Sequence, residues 1–121
     1  MATSEFLIGV MYHEPDAYDQ WNRGLIEDYE SSTGRFVEAD SAEAAVAWGE
    51  RVGQELLRHV NGDAALDWKS LGYFCWLEET PRDSGWGHCL DFFQHIRVGQ
   101  RPDLDLMTTE VYTRWLESRT T

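Results

Sequence analysis

His13, Glu14 and Asp16 place an imidazole and two carboxylates within four residues. Those side-chain types can hold a divalent ion or move a proton in general acid–base catalysis. Pro15 ends an apolar run just before them, which makes the segment the loop at the carboxyl end of a strand. Ligands often sit at that position in sheets with helical crossovers. Asp91 and His95 are the candidates to complete such a site from elsewhere in the chain. The competing reading is a solvated loop whose polar residues merely avoid the interior.

A second set, Cys75, His88, Cys89 and His95, carries the remaining metal-binding types. If residues 72–79 and 88–96 pair as a hairpin about Arg82, Cys75 falls opposite Cys89 and shares a face with His95. Thiolate with imidazole suits zinc. Yet neither CxxC nor HxxxH spacing occurs, and His88 points to the opposite face, so two free thiols among aromatic rings are expected. Glu27 with Asp28, and Glu78 with Glu79, are adjacent acids that diverge on a helix or strand and make poor dyads. No serine sits in a GxSxG turn, and neither GxGxxG nor GxxxxGK[ST] is present. The residues therefore name no catalytic set, metal site or cofactor, and an enzyme is the lesser expectation.

Charge says more. Residues 14–43 hold nine carboxylates against Arg23 and Arg35, a net of −7 within a chain of 121 residues whose formal charge is −12. Such a field repels phosphate backbones and anionic lipid and draws in basic surfaces. Nucleic-acid binding also needs clustered cations, and the ten here are scattered singly. Trp21, Tyr18 and Tyr29 lie inside the acidic stretch and are of the types that anchor interfaces. The same rings would otherwise form the core side of a first helix.

In size, acidity and aromatic content the chain resembles inhibitors of basic toxins, such as the bacterial immunity proteins that cover a nuclease site. The resemblance is one of composition and carries no motif. It implies a small acidic protein-binding module for a basic protein, with Glu27, Asp28, Glu30 and Trp21 as the contact residues. Two alternatives stand beside it. One is a small metal-dependent or acid–base enzyme using the His13, Glu14 and Asp16 loop. The other is a homo-oligomeric structural protein, which the high like charge opposes.

The elements that must position these residues are legible in part. Residues 6–12 are apolar on both alternating sets, so they form a strand covered on both faces and central in its sheet. Residues 16–33 favour a helix after Pro15 over a hairpin turning at Thr33 and Gly34. Residues 35–39 read as a short strand. Asp40 and Ser41 open a helix through residue 60, with Glu43 placed as in a capping box and Gly62 at its end. Gly49 and Gly53 lie one turn apart on its buried side and imply close packing on a strand. Met107, Val111, Trp115 and Leu116 mark a C-terminal helix.

No signal peptide or membrane-spanning run is evident, and a cytoplasmic location is expected. The expectation is one α+β domain over residues 1–121, with about four mostly antiparallel strands covered by two or three helices. Six Trp, five Tyr and five Phe should supply much of its core. The expected core comprises Phe6, Ile8, Val10, Trp48, Val52, Leu56, Phe74, Trp76, Leu90, Phe92 and Trp115.

Overall fold

Residues 3–25 and 30–119 are described by a computed structural model. The apolar run near the amino terminus extends to a ten-residue strand, Ser4–His13 (β1), and its neighbours explain why both faces are apolar. The sheet order is β3-β1-β2-β4, where β2 is Glu30–Ala39, β3 is Cys75–Glu78 and β4 is His95–Arg97. Both neighbours of β1 run antiparallel to it, while β4 runs parallel to β2. With three helices among the described residues, this is a small α+β domain with a mixed, mostly antiparallel sheet.

One face is covered by Ala42–Asn61 (α2). Ser41 caps this helix, accepting the Ala44 N–H at 3.2 Å, and Gly62 closes it in the left-handed region at φ 60°. The cap thus falls on Ser41, one residue later than a box between Asp40 and Glu43 requires. Against α2 lie Ile8, Val10, Val37 and Ile96 from the sheet and Val52, Leu56 and Leu57 from the helix. A β-carbon built on Gly53 would stand 2.5 Å from a Val10 methyl, and one on Gly49 2.7 Å from an Ile8 methyl. The glycine pair therefore sets how closely the helix approaches the strand.

The opposite face is covered mainly by irregular chain, joined by one helix. Leu7, Cys89 and Phe93 are buried there, with Phe36, Trp86, Leu90, Phe92, Tyr112 and Trp115 packed around them. The last two belong to Thr109–Arg119 (α3), whose rings rest on Phe92 at 5.1 and 5.4 Å between centroids.

Several expectations fail here. The hairpin of residues 72–79 with 88–96 does not form: β3 pairs with β1, and β4 pairs with β2 at the far edge. Residues 81–83 and 90–92 are instead short 3-10 turns. The pattern misled because Trp86, Leu90, Phe92 and Phe93 are packed as a ring cluster, which needs no strand. The stretch 16–33 divides: among its described residues only Pro15–Asn22 (α1) is helical, and Ser31–Thr33 belong to β2. Thr33 and Gly34 lie mid-strand opposite Val10 and Gly9, so they make no turn.

Ile8, Val10, Val52 and Leu56 are fully buried as expected, but Phe74 is 56% exposed. Trp68 was missed. It comes from the irregular segment after α2, is 1% exposed, and donates its indole N–H to the Met11 carbonyl at 2.7 Å.

Candidate functional site

Strand β1 delivers His13 and Glu14 to one end of the sheet, and the turn into α1 separates their surroundings. His13 is the last residue of β1 and is buried, not solvated. Its Nδ1 lies 2.7 Å from the Tyr73 hydroxyl, and its carbonyl accepts from Asn61 Nδ2 at 2.9 Å. Burial holds the imidazole pKa below its ordinary value, since the charged form loses hydration.

Glu14 turns elsewhere. Its two carboxylate oxygens lie 3.3 and 3.4 Å from the Thr109 N–H at the start of α3. That helix terminus carries partial positive charge and favours an anion. Asp16, in the first turn of α1, is exposed. Glu14 and Asp16 line one cleft while His13 faces Tyr73, so the three do not converge. His95 is remote from them. It bonds to Glu5 at 2.6 Å, at the other end of β1, roughly 26 Å from His13 by strand rise. Among the described residues, no three His, Cys, Asp or Glu side chains are grouped to hold a metal ion.

The cysteines are on opposite faces of the sheet. Cys75 pairs with Val10 and lies under α2, whereas Cys89 is buried in the ring cluster. Beside Cys75 sits Arg35, the residue that sequence reasoning least anticipated. Its side chain is 0% exposed, and Nη2 donates to the Gly49 carbonyl at 2.8 Å. Nε and Nη1 meet no acceptor among the described residues. Burial lowers its pKa to about 10, opposed by the neighbouring Cys75. Burial also raises the Cys75 thiol to about 12, opposed by Arg35. The position of Arg35 opposite Ile8 in the sheet turns it inward, where a charged residue is rarely found.

Helix α1 buries none of its residues. Tyr18 and Trp21 are 37% and 39% exposed, and their rings lie 5.7 Å apart. Each ring is therefore partly covered and partly open. Tyr18 also leans on His13, with 4.9 Å between ring centroids. Of the expected contact residues, Glu27 and Asp28 lie outside the described residues, as does the side chain of Glu30.

Between α1, the end of α2 and the start of α3 runs a cleft of about 630 Å³. Glu14, Asp16, Asp105 and Glu110 line it, and no Lys or Arg is among its lining residues. Asp105 bonds to His59 at 2.6 Å, and Glu110 pairs with Arg114 one turn along α3. The arrangement is suited to receiving positive charge.

No helix among the described residues is long and apolar enough to cross a membrane. Comparisons with protein-family models, with curated proteins and with solved structures give no match for this chain.

Proposed function

We propose that the protein is a small acidic binding module for a basic protein, and that α1 and the segment after it form the contact surface. The observation that carries this reading is the partly exposed pair of Tyr18 and Trp21 on a helix with no fully buried residue. Asp16 and Asp19 lie on the same helix, and Glu27, Asp28 and Glu30 follow in sequence. Rings of this kind supply affinity once desolvated, while the acids accelerate encounter with a positive surface. Of the two cations in residues 14–43, Arg35 is buried and Arg23 sits 3.6 Å from Asp19. Little positive charge is therefore left on that outer surface. Nucleic acid and anionic lipid are not partners that such a field would attract. The acid–base alternative draws no support from the geometry, because His13 is turned away from Glu14 and Asp16.

The test is retention of proteins from the source lysate on the tagged chain at low salt, eluted by a salt gradient. The expected result is one basic protein held by wild type and lost from Trp21→Ala and from the Glu27→Lys, Asp28→Lys, Glu30→Lys triple variant. For the purified pair, the triple variant should associate more slowly and respond less to salt. Equal retention by all three proteins, or retention of none, would overturn the reading.

A further inference from the structure

A second recess adjoins the acidic cleft. It has a volume of about 100 Å³ and is walled by Tyr12, Trp86, Cys89, Phe92, Phe93 and Tyr112. A single water needs far less room than this, about 10–15 Å³, so the recess can admit a short organic group. Its position follows from the fold. Tyr12 comes from the end of β1, the rings of residues 86–93 come from the irregular layer, and Tyr112 comes from the first turns of α3. Between the rings, Ser32, Thr33, Thr108 and Thr109 add hydroxyls, Ser32 from the exposed side and Thr33 from a buried position. Rings that can cover an apolar body, with hydroxyls beside them to orient it, are the two ingredients of a small-molecule site.

The recess and the cleft are contiguous, since Thr108 and Thr109 line both. Glu14 stands at their junction. Its carboxylate meets the Thr109 N–H, and its charge acts on the Tyr12 phenol, whose pKa is raised by burial first and by Glu14 second. A ligand with its body in the recess and its head in the cleft would lie beside this carboxylate. An anion would be repelled by Glu14, Asp16, Asp105 and Glu110 together, and a neutral molecule would gain nothing from them. A cation gains from both halves, because ring faces also attract positive charge.

We propose that recess and cleft form one site for a small organic cation, an ammonium on a short apolar or aromatic body. The body occupies the ring-walled recess, and the ammonium lies against Glu14 with the other carboxylates of the cleft behind it. This goes beyond docking of a protein through α1. It needs no partner, so each reading can fail without the other.

The test is titration of the intact chain with benzylammonium, benzyl alcohol and benzoate, followed by calorimetry and by the indole N–H resonance of Trp86. Benzylammonium is expected to saturate one site and shift that resonance, with benzyl alcohol about tenfold weaker or more and benzoate silent. Glu14→Gln should weaken benzylammonium about tenfold while leaving benzyl alcohol unchanged. Ser32→Phe, placed at the exposed rim, should block the recess to every probe without disturbing the core. Unaltered thermal melts for both variants would show that the losses are local. The proposal is overturned if benzyl alcohol binds as tightly as benzylammonium, if neither variant weakens binding, or if no probe saturates.

Discussion

The indole of Trp76 lies flat against Gly9, in the space that a side chain at position 9 would fill. A β-carbon built on Gly9 would stand 2.3 Å from Trp76 Cε2. Gly34 is directly opposite Gly9 in the sheet, and Trp86 lies over it, stacked on Trp76 at 5.6 Å between centroids. Two small residues at the sheet centre thus make the floor for two large rings. Glycine costs strand stability through its entropy, and ring coverage offsets that cost.

Gly9→Ala should accordingly destabilise the protein by about 1–3 kcal/mol, because the indole must lift and the stack with Trp86 must shift. Urea denaturation would give the loss, and the near-ultraviolet circular dichroism of the tryptophans would change with it. An alanine variant of wild-type stability and spectrum would mean that the ring can move freely.

Arg35 is a cost that the fold carries. A buried guanidinium whose Nε and Nη1 meet no acceptor among the described residues is destabilising relative to an apolar chain of similar length. Arg35→Met is expected to raise stability by about 1 kcal/mol or more. The Gly49 carbonyl loses a donor but lies mid-helix, where it also accepts from the backbone. A lower urea midpoint for Arg35→Met than for wild type would contradict this.

Alkaline pH should weaken the fold through Cys75. Its thiol is held at about 12 in the folded protein against 9.0 ordinarily. Above pH 9 the unfolded chain therefore releases a proton that the folded chain keeps, and stability falls as pH rises. The loss by pH 10 should be about 1.4 kcal/mol. Near pH 10 unfolded Tyr12 and folded Arg35 are each about half-titrated and act in opposite directions. Their contributions roughly cancel, and the thiol dominates between pH 8 and 10. Cys75→Ala should lower stability at pH 8 yet flatten its change between pH 8 and 10.

Two tryptophans should separate stability from binding. Trp68→Ala removes a fully buried ring with its hydrogen bond to Met11 and should cost about 3–5 kcal/mol. Trp21→Ala removes a partly exposed ring packed on Tyr18 and should cost far less, about 1 kcal/mol. Thermal or urea unfolding of the two variants checks both.

Local pattern was enough for β1, α2 and the C-terminal helix, because each carries its own signal. β1 is apolar on both alternating sets, and α2 has a 3–4 repeat bounded by Ser41 and Gly62. Gly49 and Gly53 even announced the close approach to the strand. The acidic stretch was likewise visible as composition, whereas the exposure of Tyr18 and Trp21 was not.

What only the tertiary structure decided was who pairs with whom. Residues 72–79 and 88–96 alternate as two strands would, and nothing local says that β1 takes the first while β2 takes the tip of the second. Pairing is settled by which edges are free once the other face must be covered, a competition no window of sequence contains. The same competition buried Arg35, since its place opposite Ile8 was set by register and not by charge. It also turned His13 away from Glu14, although the two are neighbours, because successive strand residues face opposite ways. The recess beside Glu14 is assembled from β1, β2, the ring layer and α3, and it exists only when all four have met.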